Sequence, residues 1–365
     1  MIGRLRMTKN TSIPNLVVPQ RVIDKMAAAA RHYLQDETGE AMVGLLVPST
    51  HTNGVPTLYV LDTIAPDEST VVREWATFQQ GDERQDELIW WLQENWRVCR
   101  QKKKDLQGHP LPAKWDVPVR YLGDWHKQPG FMIQPSGGDL MTARHWIDDS
   151  ENGMSFLLAP IVTLGHPSAE ATDSPMTNYL AISQGDDTCM RVDFWYIDKQ
   201  VNDFVPISPA IYPDDQLPAL AAYPWHLVNE ERFRAESELL EKDGLFTTLV
   251  LWDAGHAPPL DVCFLTARMG ADQVLLLVTP WDYPKAAPKA RIAPFRGIEP
   301  DEDIYEVFEE LWEHSKPVAD PAGWTWSEGR HLIDYIFALE DANGIKRPTT
   351  GAKPAQAEVE PEDKT

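Results

Sequence analysis

Positive charge is scarce in this chain. Thirty-three Lys and Arg stand against 56 Asp and Glu over 365 residues, a formal net charge of −23. Such a field repels phosphate backbones, which excludes nucleic acid as an expected direct partner. Cysteine is scarcer still: Cys99, Cys189 and Cys263 are odd in number, widely spaced and without a Cys-x-x-Cys pair. That excludes a disulfide scaffold and a cysteine-rich zinc module, and it fits a reducing cytoplasm. No apolar run approaches the roughly 18 residues of a membrane-spanning helix. The basic stretch from Met1 to Asn10 is followed by no apolar core of secretory length. Internal repeats are absent. The expectation is a soluble cytoplasmic protein with no membrane partner.

Apolar residues are plentiful, at 43%, enough for packed cores, and 365 residues favour two domains. Pro206 to Pro224 holds five prolines, which predicts a linker over 204–222 between domains at 15–203 and 223–345. Arg347 to Thr365 is rich in Pro, Ala, Glu and Lys and has no aromatic residue. The stretch 346–365 is therefore expected to be a disordered tail, and 1–14 a flexible N-terminus.

The densest chemical pattern is Tyr121-Leu-Gly-Asp-Trp-His126-Lys-Gln128-Pro-Gly-Phe-Met-Ile-Gln-Pro-Ser136-Gly-Gly-Asp139. An imidazole, a side chain two residues on, a Ser eight later and an Asp three beyond it can converge on one divalent cation. This requires a strand end, where alternate residues point the same way, then a loop entering a helix near Ser136, a good capping residue. Upstream, Pro19 to Gln35 reads as an amphipathic helix, with Val22, Met26, Ala29 and Tyr33 at helical spacing. Glu37-Thr-Gly-Glu40-Ala-Met-Val-Gly44-Leu-Leu-Val follows, then an apolar run from Thr57 to Ile64 and a helix from about Asp86 to Lys104.

The spacing His-x-Gln-Pro-x6-Ser-x-x-Asp resembles the JAMM motif of the JAB/MPN metalloprotease family. Glu37-Thr-Gly-Glu40 resembles the family's upstream glutamate segment, with Glu40 in place of its second Gly. The likeness covers roughly residues 15 to 200, including a late strand from Met190 to Ile197. It implies an α+β chain whose first domain is JAB/MPN-like, a cytidine-deaminase-like α/β/α arrangement. It further implies zinc held by His126, Asp139 and the residue at 128, with Glu37 taking a proton from the metal-bound water and Ser136 donating to the oxyanion. The family has His where this chain has Gln128. A neutral amide oxygen is a poorer zinc donor than imidazole and suits harder divalent cations better. His145 lies six residues past Asp139, about 240° round a helix, and cannot easily substitute. Family members cleave after the C-terminal Gly-Gly of ubiquitin-like proteins. Three functions follow: a metallo-isopeptidase of a bacterial ubiquitin-like pathway with a degenerate site, a metal-free pseudoenzyme that binds a ubiquitin-like protein or partner, or a peptidase for small peptides and sulfur-carrier conjugates.

The second half predicts a helix from Asn229 to Asp243, strands Phe246–Trp252, Leu260–Ala267 and Gln273–Val278, then Tyr283-Pro284-x3-Pro288-x3-Ile292. With Trp324, Trp326 and a helix from Gly329 to Glu340, this resembles a smaller UBC/RWD-like α+β domain of the ubiquitin-conjugating type. That fold's nucleophilic cysteine follows the proline turn, and no cysteine follows Cys263 here; acidic residues Glu299 to Glu313 predict a helix there instead. The resemblance implies a non-catalytic module holding a ubiquitin-like protein or an activating enzyme. His256, His314 and His331 stand in unrelated contexts and suggest no chemistry.

Overall fold

A computed structural model describes residues 13–167, 177–299 and 301–347. The chain is α+β and divides at Tyr223/Pro224 into two units, the first joined by residues 257–259. Most of the flexible N-terminus expected over 1–14, and nearly all of the tail expected over 346–365, lie outside the described residues. Among the described residues no helix is long and apolar enough to cross a membrane.

The first unit opens with β1 (Asn15–Pro19) and α1 (Gln20–His32). The helix buries Val22, Ile23, Met26, Ala27 and Ala30 in a core shared with Met42, Leu58, Val60 and Trp125. It stops three residues before the expected end. Beyond it the Arg73 guanidinium lies 4.1 Å over the Tyr33 ring, and the Glu37 N–H donates to Glu74 O at 2.8 Å. The segment carrying Glu37 is thus tied to a neighbouring hairpin rather than wound into the helix. β2 (Thr38–Val47), β3 (Thr57–Ile64) and the hairpin β4 (Val72–Glu74) and β5 (Thr77–Gln79) follow. Next comes α2 (Glu83–Lys102), capped by Asp82, whose carboxylate accepts from Gln85 N at 2.7 Å.

β6 (Val119–Lys127) and α3 (Gly137–Asp148) carry the motif. The unit closes with β7 (Phe156–Leu158), β8 (Ile161–Pro167), β9 (Tyr179–Ser183), β10 (Thr188–Asp193), β11 (Trp195–Asp198), β12 (Val205–Pro206) and β13 (Pro209–Tyr212). Eight strands form one sheet in the order β13-β1-β3-β2-β6-β8-β10-β9, and β12-β11-β7 form a second. The strand expected from Met190 to Ile197 is therefore broken. Buried Phe194 separates β10 in the large sheet from β11 in the small one. The 204–222 stretch is likewise more than a linker, because β13 pairs in parallel with β1, Leu16 opposite Pro209. Its prolines are tolerated because β13 is an edge strand.

Two glycines of the upstream segment are required by close approach. A Cβ on Gly44 would lie 2.0 Å from Tyr59 O, and one on Gly39 would lie 2.2 Å from Trp125 O and 3.0 Å from His126 Cβ.

The second unit contains α4 (Trp225–Val228), α5 (Glu230–Lys242), β14 (Leu245–Trp252), β15 (Asp261–Arg268), β16 (Gln273–Thr279), β17 (Lys289–Pro294), α6 (Ile304–His314), β18 (Lys316–Val318) and α7 (Leu332–Asn343). The five strands form an antiparallel sheet in chain order. Alternate residues go to opposite faces. Val262, Phe264, Leu275 and Leu277 meet Leu240 of α5 and Leu339 of α7. Cys263, Leu265, Leu276 and Val278 meet Phe308 and Leu311 of α6. Covered on both faces, β15 is buried at every residue. Glu236, fully buried, accepts from Arg232 Nε at 2.7 Å, from Leu332 N at 2.8 Å and from the Tyr283 hydroxyl. The helix expected over Glu299 to Glu313 begins only at Ile304, where the Asp303 carboxylate caps it.

Candidate functional site

Two ladders aim the motif side chains. β6 pairs antiparallel with β2, His126 opposite Gly39 and Lys127 opposite Thr38. At its C-terminal end it pairs in parallel with β8. There His126 N donates to Pro160 O at 3.1 Å and Gln128 N to Val162 O at 2.9 Å. These backbone bonds fix both residues in extended register, so their side chains leave on one side. Gly39 has no side chain, which lets β2 and β6 approach closely beside His126. Glu37, the residue before β2, enters the same neighbourhood from the opposing strand.

The expected helix entry is present. Ser136 caps α3: Asp139 N donates to Ser136 Oγ at 3.2 Å, and Ser136 N donates to Asp139 Oδ2 at 2.6 Å. This capping box satisfies two otherwise orphaned amides and sets the Asp139 carboxylate. His126 Nε2 lies 3.7 Å from Asp139 Oδ2. The Gln128 amide sits between them, its Nε2 3.1 Å from His126 Nε2 and 3.3 Å from Asp139 Oδ2. Burial pushes the His126 imidazole below its ordinary pKa, against the pull of Asp139. Neutral, it has one lone pair to offer.

Glu37 is pushed up to about 7, first by burial and then by the negative Asp139, with Lys127 working the other way. Glu37 and Gln128 line a cleft of about 250 Å³ with Leu34, Asp36, Trp75 and Lys127. Glu37, His126, Gln128, Ser136 and Asp139 are thus brought together across some hundred residues of chain. The Ser136 hydroxyl accepts as a cap and keeps its hydrogen free to donate.

His126 Nε2 and Asp139 Oδ2 are a nitrogen and an oxygen donor facing a common point, the chemistry a divalent cation asks for. The Gln128 amide hydrogens now meet that demand. Its Oε1 is buried and has no hydrogen-bond partner among the described residues. Turning the amide over would bring this orphaned oxygen towards the other two donors. The three residues therefore fit a divalent cation weakly, with an internal amide competing for the same lone pairs. Among the described residues no group of three His, Cys, Asp or Glu stands ready for a metal.

Lys127 and Trp75 were not legible as site residues. Lys127 is buried, donates to Leu34 O at 3.0 Å, and is lowered by burial while Asp36 and Glu37 pull it back up. Its place between the two motif residues His126 and Gln128 was the one available signal. Asp124, two residues before His126, is pushed up to about 6 by burial. Cys263 is fully buried and its thiol is pushed up by burial.

No protein-family model matches the chain, and no curated protein matches it. Among solved structures it is similar to protein DSY2949 from Desulfitobacterium hafniense, determined in solution. The likeness covers 54% of this chain and 93% of that one, at 13% identity and a TM-score of 0.29. A match that loose carries no argument about fold or function.

Proposed function

We propose that the first unit is a JAB/MPN-type hydrolase unit that acts on the C-terminal tail of a ubiquitin-like protein through a weakened metal site. The observation that carries this reading is Glu37, raised to about 7 in a cleft shared with Gln128 and under the charge of Asp139. A carboxyl poised near neutrality suits a general base. His126 and Asp139 would hold the cation, zinc or a harder divalent ion, with Gln128 contributing once its amide turns. When bound, the cation supplies an acidified water and a Lewis acid for the scissile carbonyl. Glu37 takes and returns the proton, and the Ser136 hydroxyl donates to the developing oxyanion. A 250 Å³ cleft suits an extended chain ending in small residues. The second unit, read as UBC/RWD-like, keeps no thiol after Tyr283–Pro284 and serves as a binding module for the same partner or its activating enzyme.

One observation favours a second reading, a metal-free binding domain: Gln128 Nε2 bridges the two donors a cation would use. Elemental analysis and cleavage of a Gly-Gly-linked reporter fusion, on wild type and Gln128→His, separate the two. Loss of ligand-sphere groups costs at least about 10–100-fold in metal affinity, so Gln128→His should bind zinc that much more tightly and cleave faster. Measurable zinc-dependent cleavage by wild type supports the hydrolase. Cleavage by Gln128→His alone supports the silent binder. A Gln128→His protein that neither binds zinc nor cleaves overturns the hydrolase reading.

A further inference from the structure

The second unit holds a hydrogen-bonded chain of three side chains drawn from separate segments. Asp261, first residue of β15, is 2% exposed. Its Oδ2 lies 2.7 Å from His256 Nδ1. On the other side of the ring, His256 Nε2 lies 2.9 Å from Nζ of Lys289, the first residue of β17. The carboxylate fixes the tautomer: Nδ1–H donates to Asp261, which leaves the Nε2 lone pair facing the lysine. Burial raises Asp261, and both His256 and Lys289 draw it back down. Lys289 is exposed and His256 partly so. Elsewhere in the protein, Lys25 and Lys103 face the carboxylates of Asp62 and Asp116. Lys289 Nζ instead lies against an imidazole nitrogen. A nucleophile against a base, with that base oriented by a third group, is the arrangement that activates weak nucleophiles.

We propose that Lys289 is a nucleophilic lysine, with His256 as its base and Asp261 as a positioning residue, and that it takes acyl groups from acyl thioesters. The Lys289 ammonium first gives one proton through His256 Nε2 to water. The free amine then attacks the carbonyl carbon, forming the C–N bond while its second proton passes to His256. Collapse breaks the C–S bond, and the departing thiolate takes that proton. The products are an amide on Lys289, a thiol and one proton released to solvent; nothing is oxidised or reduced. The site shares no residue with the cleft of the first unit and does not depend on the hydrolase reading.

The test is acetylation of the full-length protein by a small acetyl thioester, S-acetyl-N-acetylcysteamine, with each lysine followed by peptide mass spectrometry. General-base assistance contributes about 10²–10⁴-fold, so Lys289 should react at least about tenfold faster than Lys25 or Lys103. His256→Gln should bring it down to their rate. His256 is partly exposed, so that variant should keep its fold, to be checked by circular dichroism. Asp261→Asn should lower the Lys289 rate while leaving Lys25 and Lys103 unchanged. A Lys289 rate equal to that of the other lysines, or a fast rate that survives His256→Gln, overturns the proposal.

Discussion

Replacing Glu37 with Gln should stabilise the first unit, and increasingly so as pH rises. The Glu37 carboxyl is held at about 7 against an ordinary 4.5, so the folded state binds this proton more tightly than the unfolded chain does. For an acid raised in this way, stability is lost as pH climbs from 4.5 through 7 and is constant above. The full difference, 7 minus 4.5, corresponds to about 3 kcal/mol. The carboxyl is only partly buried, and solvent screening cuts that to roughly 1.5–2 kcal/mol. About three-fifths of it accumulates above pH 5.5. Wild type and Glu37→Gln, compared by amide hydrogen exchange of β2 and β6 in chelator, should therefore diverge by ~1 kcal/mol between pH 5.5 and 8.5. The chelator matters because a bound cation would favour the carboxylate and shrink the gap. Burial is the larger cause, so most of the divergence should persist in an Asp139→Asn background. Parallel pH profiles for the two proteins would refute the reasoning.

Ser136→Ala should cost ~1 kcal/mol through loss of the cap, seen as a lower denaturant midpoint. Ser136→Asn should restore the midpoint, yet should lower cleavage in the Gln128→His background if the hydroxyl donates to the oxyanion. Gly39→Ala would set a methyl 2.2 Å from Trp125 O and should cost ~1–3 kcal/mol as overpacking, measured by thermal unfolding. In the second unit, Glu236→Ala removes the carboxylate that accepts from Arg232 Nε, the Tyr283 hydroxyl and Leu332 N. Breaking a buried charge network in this way should destabilise by ~3–5 kcal/mol, which urea unfolding would report.

Elements with strong periodicity were legible in the sequence. The strand expected from Thr57 to Ile64 is β3 to the residue, and α2, α5 and β14 to β16 differ from expectation by three residues or fewer at either end. The gathering of Glu37, His126, Gln128, Ser136 and Asp139 was legible too, because spacing along one strand and one helix start encodes direction. What failed was whatever tertiary contact decides. Pro209 to Tyr212 read as linker because composition does not announce an edge strand that borrows its partner from β1. Tyr33 to Gln35 read as helix because nothing local reveals that Arg73 and Glu74 hold that segment. His256 read as contextless because Asp261 and Lys289 come to it only through the sheet. The position of the Gln128 amide, between two other donors, is equally invisible in a one-dimensional spacing.

The capping box at the start of α3 separates two kinds of pressure on the same letters. Ser136 and Asp139 exchange hydrogen bonds that close the first turn of the helix, whether or not anything is ever hydrolysed in the cleft. A mutation at either position is therefore penalised in folding before it is felt in chemistry. His126 and Gln128 close no helix turn with their side chains: the bonds that hold them in the sheet, to Pro160 and Val162, are backbone ones, available to any residue but proline. A lineage losing catalysis would be expected to shed side chains from the strand first and to keep its helix start almost indefinitely. On the reading proposed above, a retained Ser-x-x-Asp records architecture, and the strand position two residues after His126 is the one that would report on activity.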